Sequence, residues 1–244
     1  DTGNPMANLF EAANMSADAP RPLADRLRPV SLSEIAGQDH LVGPDGIVTR
    51  MLQSGTLGSL IFWGPPGTGK TTLARLLAKE TNLHFEQISA IFSGVADLKT
   101  VFASARQRRE LGKGTLLFVD EIHRFNRAQL DSFLPVMEDG TITLVGATTE
   151  NPSFELNAAL LSRAHVLTFH ALEAQALEKL LERAEAETGK PLPVDEEARA
   201  SLIRMADGDG RAVLTLAEDV WRASRDGETF NAAALQEVVQ RRAP

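Results

Sequence analysis

The apolar positions of the chain change their spacing near residue 170. From 60 to 170, short apolar runs alternate with segments whose apolar residues recur every three or four positions. The runs at 60–63, 84–88, 115–120, 142–147 and 165–169 predict strands. The periodic segments predict helices over about 70–80, 97–109, 127–137 and 157–162. Leu116-Leu117-Phe118-Val119 is apolar at every position, as a strand covered on both faces of a parallel sheet requires. This alternation predicts an α/β domain built on a doubly wound, parallel five-stranded sheet with right-handed crossovers.

After residue 170 the strand signals stop. Leu172, Ala176, Leu177, Leu180, Leu181 and Ala184 repeat at helical spacing, and Gly189 ends that run. Asp195 caps a second helix carrying Ala198, Leu202, Ile203 and Ala206. A third starts near Gly210 with Val213, Leu214, Ala217, Val220 and Trp221, and a fourth runs from Asn231 with Leu235, Val238 and Val239. These stripes predict a small all-helical domain.

Before residue 60 the pattern is mixed. Residues 1–22 show little periodicity and read as a flexible tail. Leu23 to Leu27 fits a short helix stopped before Pro29. Ser31 to Glu34 resembles a helix start with Gly37 as its stop, and Gly46 to Leu52 restarts a helix. The expected division is a tail over 1–22, an α/β domain over 23–170 and a helical domain over 171–244.

Composition narrows the classes. The chain has 244 residues, 43% hydrophobic and 24% charged, enough for a substantial core. No apolar run approaches a transmembrane span, and the N-terminus lacks a signal-peptide pattern, so a cytoplasmic protein without a membrane partner is expected. Cysteine is absent, which excludes disulfides and thiolate metal sites. The five histidines (His40, His84, His123, His165 and His170) have no metal-ligand spacing. Net charge is −8, whereas proteins whose whole surface grips nucleic acid are usually basic. Any DNA contact must then come from a local patch, several subunits or residues elsewhere. Arg106, Arg108, Arg109 and Lys113 are the candidate basic positions, although a solvated helix face accounts for them more simply.

The candidate chemistry sits where the first strand meets the first helix. Gly64-Pro65-Pro66-Gly67-Thr68-Gly69-Lys70-Thr71 follows the apolar run Leu60-Ile61-Phe62-Trp63 and opens the helical pattern from Thr72 to Lys79. This is the phosphate-binding loop G-x-x-x-x-G-K-[ST] in its strand-to-helix context. Inward-facing backbone N–H groups of such a loop cradle phosphate oxygens, and the helix N-terminus favours negative charge. Lys70 is placed to reach the β- and γ-phosphates, and Thr71 to put its hydroxyl on Mg²⁺. ATP with Mg²⁺ is the implied ligand pair.

Asp120 and Glu121 close the strand 115–119, where open α/β sheets bind ligands. Asp120 can hold Mg²⁺ through water, and Glu121 is then placed to polarise an attacking water. Thr148 and Thr149 end the next strand, where a hydroxyl can touch the γ-phosphate or that water. Arg163 lies just before the last strand, and Arg211 begins the third C-terminal helix. By periodicity alone both arginines are surface residues.

In this order, the two nucleotide motifs, the threonine-ended strand, Ser162-Arg163 and Arg211 resemble the AAA+ ATPases, most closely the clamp-loader branch. Three strings are similar to the replication-associated recombination protein A family, bacterial relatives of the Werner-helicase-interacting protein. They are Ala24-Asp25-Arg26-Leu27-Arg28-Pro29, the stretch from Phe118 to Asn126, and the stretch from Gly146 to Asn157. The resemblance spans roughly residues 23 to 242.

It implies that Gly64, Pro65, Pro66, Gly67, Thr68, Gly69, Lys70, Thr71 and Thr72 form the Walker A site, and Asp120 and Glu121 Walker B. It implies that Thr149, with Thr148 beside it, is sensor 1. Arg163 would be an arginine finger serving a neighbouring subunit's ATP, and Arg211 the sensor 2 of its own subunit. Leu27, Arg28, Pro29, Ile35 and Gln38 would line the adenine pocket. Members of the family continue past the helical lid into a C-terminal oligomerisation domain, so this chain is expected to carry the ATPase core and lid alone. The full-length form would be a homo-oligomer, and this chain could be a monomer.

The implied activity is a DNA-dependent ATPase at stalled forks, DNA ends or single-stranded gaps, near the single-strand-binding protein and the replisome at the nucleoid. A clamp-loader subunit or a branch-migration motor uses the same core. A different class is a protein unfoldase, whose aromatic loop would fall at Ile91-Phe92-Ser93-Gly94, although Phe92 fits a core position as well. A nucleotide-gated scaffold would have no need of Glu121.

Overall fold

A computed structural model describes residues 21–240 of the chain. The expected tail over 1–22 falls almost wholly outside the described residues, as do positions 241–244.

Five strands form one parallel sheet: β1 (Ser59–Trp63), β2 (His84–Ser89), β3 (Thr115–Asp120), β4 (Ile142–Thr148) and β5 (Ala164–Thr168). Their spatial order is β2-β3-β4-β1-β5, so β1 lies between strands that follow it in sequence. Leu116, Leu117, Phe118 and Val119 of β3 are all fully buried. Their side chains alternate across the sheet, which puts Leu116 and Phe118 in one core cluster and Leu117 and Val119 in another.

Helices cover both faces. In chain order they are α1 (Leu23–Arg26), α2 (Asp39–Val42), α3 (Ile47–Ser54), α4 (Lys70–Glu80), α5 (Val95–Glu110), α6 (Arg127–Glu138), α7 (Pro152–Glu155) and α8 (Ala158–Leu161). Helix α4 packs Leu73, Leu76 and Leu77 against Leu60, Phe62 and Phe118. Helices α5 and α6 cover the other face, where Phe102 meets Phe133 edge-on at 5.4 Å. Asn126 begins α6 through a capping box with Gln129, the two exchanging hydrogen bonds of 2.8 and 2.9 Å.

Four longer helices follow β5: α9 (Ala174–Thr188), α10 (Glu196–Ala206), α11 (Gly210–Ala223) and α12 (Ala232–Gln240). Leu177, Leu181, Leu202, Val213, Ala217 and Leu235 form their shared core. Gly189 ends α9 in the left-handed conformation, and Asp195 caps α10 through Ala198 N–H at 2.8 Å.

Two local features depart from the expected pattern. Ser31 to Glu34 yields only a 3-10 turn over Leu32–Glu34, because Glu34 folds back to accept from the N–H groups of Val30 and Ser31 at 2.7 and 3.1 Å. Helix α1 belongs to the C-terminal helices rather than to the sheet. Leu23 and Leu27 complete the core of those helices, and Leu23 N–H donates to Glu218 Oε1 at 2.9 Å. A four-residue helix with one leucine, followed by Leu27, has too little apolar surface to stand alone, and the core of the C-terminal helices takes in both leucines.

Candidate nucleotide site

The loop between β1 and α4 turns on two glycines that occupy positive φ, Gly67 at 69° and Gly69 at 107°. Residues with a Cβ rarely adopt that region. Thr68 Oγ1 donates to Pro65 O at 2.8 Å and braces the turn. Lys70, first residue of α4, folds its ammonium back to donate to the carbonyls of Gly64 and Pro65. Burial pushes the Lys70 pKa down from its ordinary value, and the nearby carboxylates of Asp120, Glu121 and Asp209 oppose that shift.

A cavity of about 460 Å³ opens at this loop. Residues 66–72 of the loop line it, with Asp120 and Glu121 from the end of β3 and Thr149 from just beyond β4. Leu27, Arg28, Pro29 and Ile35 form one wall, with Ala24 and Ala36. The C-terminal helices close the opposite side through Leu172, Leu180, Asp209, Gly210, Arg211 and Leu214. Parallel strands bring Asp120, Thr149 and the loop together, because all three lie at or just beyond the C-terminal ends of their strands.

Thr71 and Asp120 line the same cavity, and one Asp120 oxygen accepts from Glu121 N–H at 3.0 Å. Among the described residues no group of three or more His, Cys, Asp or Glu side chains could hold a metal. One hydroxyl and one carboxylate suit Mg²⁺, which keeps waters and takes phosphate oxygens rather than a full protein cage.

Glu121 sits at φ 54° and ψ 41°, one of three non-glycine residues in the left-handed region among the described residues. Such strain persists where surrounding structure over-determines it, and it clusters at functional sites.

Not every singled-out residue faces the cavity. Gln38 is fully buried behind the loop instead of lining the cavity. Its Nε2 donates to Thr68 O at 3.2 Å and to His170 O at 2.8 Å, and its Oε1 accepts from His170 N–H at 3.0 Å. It ties the loop to the start of the segment that leads into α9. Gly64 and Pro65 form the loop's base rather than its lining, and a Cβ on Gly64 would stand 2.5 Å from Phe169 O.

Arg163 also lies elsewhere. Ala164 pairs with Ser59 and Thr168 with Trp63, so Arg163 is level with the start of β1 and the loop follows its end. At about 3.3 Å per residue the two are roughly 15–20 Å apart along the strands. Arg163 instead pairs with Glu138 at 2.6 Å. Arg211 is 68% exposed on the cavity rim and 3.7 Å from Asp25. Among the basic candidates, Arg108 donates to Thr115 Oγ1 at 2.7 Å and Lys113 to Asn82 Oδ1 at 2.7 Å, while Arg109 approaches Asp139 at 3.9 Å. Phe92 is 86% exposed in the loop after β2.

Spacing does not single out Asp209, although it faces Gly67 and caps α11 by accepting from Ala212 N–H at 3.0 Å. The signal for it was local, an Asp one residue ahead of a helix start. Leu172, Leu180 and Leu214 read as ordinary core positions, since one apolar stripe served both a core and a cavity wall.

Residues 60–172 match the model of the ATPase family associated with various cellular activities (AAA). The chain is 46% identical over 218 residues to the replication-associated recombination protein A of Escherichia coli strain K12, covering 87% of this chain and 48% of that protein. It is 49% identical over 202 residues to the protein of that name from Coxiella burnetii, covering 81% of this chain and 46% of that protein. The chain thus spans about half the length of these relatives. The fold is similar to the RuvB Holliday junction branch migration motor of Thermotoga maritima, with a TM-score of 0.69 and 27% identity over 88% of this chain and 72% of that one. No helix among the described residues is long and apolar enough to cross a membrane.

Proposed function

Because the chain belongs to the replication-associated recombination protein A family of AAA ATPases, we propose that it is the catalytic core of a DNA-dependent ATPase acting at stalled forks, DNA ends or gaps. The observation that carries this reading is one cavity lined by Lys70, Thr71, Asp120, Glu121, Thr149 and Arg211. In the proposed reaction a water oxygen attacks the γ-phosphorus, the bond to the β–γ bridging oxygen breaks, and ADP leaves. Glu121 takes the water's proton. Lys70 and the N–H groups of residues 67–72 meet the phosphate charge, and Thr149 touches the γ-phosphate. Thr71 and Asp120 would hold Mg²⁺, which neutralises phosphate charge when bound. Leu27, Arg28, Pro29 and Ile35 take the adenine.

The C-terminal helices act as a lid carrying Arg211 to the γ-phosphate. Arg163, far from its own loop, serves the ATP of an adjacent copy. The protein works as a homo-oligomer in the cytoplasm, at the nucleoid, near single-strand-binding protein and the replisome. The test is steady-state ATP hydrolysis with and without gapped or forked DNA, on this chain and on the full-length protein. DNA stimulation of the full-length protein supports the reading. ATP turnover indifferent to every DNA structure sinks it.

The exposed Phe92, with half-exposed Ile91 beside it, favours a second reading as a polypeptide-gripping remodeller. Stimulation by an unfolded protein in place of DNA would select it.

A further inference from the structure

His123 lies at the end of the sheet with its side chain only 8% exposed. Its Nε2 is 3.2 Å from Glu121 Oε2, and its Nδ1 is 2.8 Å from Thr148 Oγ1. Thr148 is the last residue of β4, and its hydroxyl is anchored by Glu150, whose N–H donates to it at 3.0 Å and whose carbonyl lies 3.2 Å away. The following residue, Thr149, lines the cavity with Glu121. One imidazole thus bridges the carboxylate beyond β3 and the hydroxyl at the end of β4.

The atom order restricts where the hydrogens sit. An ionised carboxylate only accepts, so the Nε2 that faces Glu121 carries a hydrogen. Nδ1 then accepts the Thr148 hydroxyl hydrogen in a neutral ring, or donates to that oxygen in an imidazolium. Donation from Nε2 to Glu121 is common to both forms. It occupies Oε2 and leaves Oε1 to meet a water. Without such a partner, a glutamate side chain samples several rotamers, and fixing one of them costs side-chain entropy.

We propose that His123 is a positioning residue for hydrolysis. Through Nε2 it holds Glu121 in the orientation that receives the water's proton. Through Nδ1 it ties that orientation to Thr148, next to the residue that touches the γ-phosphate. The proposal rests on reading Glu121 as the base.

The test compares His123→Ala, His123→Gln and His123→Phe with Glu121→Gln in the full-length protein, measuring ATP affinity, KM, kcat and Tm. Misplacing a reacting group by about 1 Å costs on the order of 100-fold, so His123→Ala should lower kcat by roughly 10- to 100-fold. ATP affinity and KM should change less than about twofold, because His123 does not line the cavity. His123→Gln keeps a donor able to reach Glu121 and should recover most of the loss, whereas His123→Phe keeps only bulk and should not. If His123→Ala fails to fold, the Gln and Phe variants carry the comparison. Turnover unchanged or raised in His123→Ala, or Gln no better than Phe, overturns the proposal while a stalled Glu121→Gln leaves the base assignment standing. Wild-type turnover in Glu121→Gln removes the base assignment, and the proposal with it.

Discussion

The N–H of Gly210 donates to the carbonyl of Gly67 at 2.8 Å, joining the first turn of α11 to the phosphate-binding loop. Asp209 presses on the same glycine, and a Cβ added at Gly67 would stand 1.7 Å from Asp209 Oδ1. Leu172 N–H donates to Gly208 O at 2.9 Å and secures the same corner. The C-terminal helices and the loop therefore meet through main-chain contacts, and a shift of one is felt by the other.

Gly67→Ala should damage both parts. It meets that clash, and its φ of 69° adds a left-handed penalty of about 1–2 kcal/mol. The expected result is a loss of ATP affinity and a lower Tm. Combining it with Asp209→Gly removes the clash but keeps the φ penalty, so Tm should recover in part. Titration with a fluorescent ATP analogue and thermal unfolding of both variants check this.

Lys70→Met should weaken ATP binding by roughly 10- to 100-fold, the value of one or two charge-assisted hydrogen bonds. Folding should tolerate the change better than binding does. The ammonium is partly desolvated, and a thioether stem needs no solvation there. Calorimetric titration with ATP and Mg²⁺, next to an unfolding curve, separates the two effects.

Gln38→Ala should destabilise the chain by about 2–3 kcal/mol, since His170 N–H loses its buried partner and Thr68 O loses a donor. Gln38→Glu should be worse than Ala. It keeps the acceptor for His170 N–H but turns a carboxylate oxygen toward the carbonyls of Thr68 and His170. Denaturant unfolding of both variants gives the ranking, and a milder effect of Glu would reject the clamp geometry.

Arg199 joins α9 to α10 by donating from Nε to Glu178 at 2.8 Å and from Nη2 to Glu185 at 2.6 Å. Burial works to raise the Glu185 pKa, but hydrogen bonds from Arg199 and from Leu192 N–H outweigh it and hold the carboxyl below its usual range. A depressed folded-state pKa gives stability that is present above the unfolded value of about 4.3 and lost as pH falls through the folded value. Arg199→Ala should lower stability by about 1–2 kcal/mol at neutral pH, and the deficit should shrink in acid below that value. Urea unfolding of both proteins across that pH range tests the sign.

The parts of this molecule legible in the sequence are those governed by short-range pattern. The continuous apolar run Leu116 to Val119 announced a central strand because both of its faces are covered. The loop from Gly64 to Thr71 was readable because phosphate binding constrains adjacent residues. Gln38, His123 and Asp209 were not readable in their places. Gln38 acts on Thr68 and His170, the latter 132 positions away, and His123 meets a hydroxyl 25 positions on. Neither contact leaves a periodic trace. Position in the chain groups helix α1 with the sheet, yet Leu23 and Leu27 are buried in the core of the C-terminal helices.

Arg163 gives the sharpest test of assembly. Its side chain is level with the start of β1, and the loop follows the end of that strand. No rotamer carries its guanidinium to the cavity of its own chain, so a direct contact with ATP requires a second copy. Arg163→Ala in the full-length protein should leave ATP affinity unchanged and lower turnover by roughly 10³-fold, the lower range for such fingers in GTPases. It also frees Glu138 from a 2.6 Å ion pair, but that pair is exposed and should affect stability by less than about 1 kcal/mol. In the proposed assembly, Arg163→Ala and Glu121→Gln would lesion different halves of one composite site. Mixed oligomers then contain interfaces with an intact Glu121 on one side and an intact Arg163 on the other. The mixture should regain up to about a quarter of wild-type turnover per site if copies assort at random. Steady-state ATPase assays on the two variants alone and mixed decide it. A mixture as inactive as its components would place the function of Arg163 within its own chain.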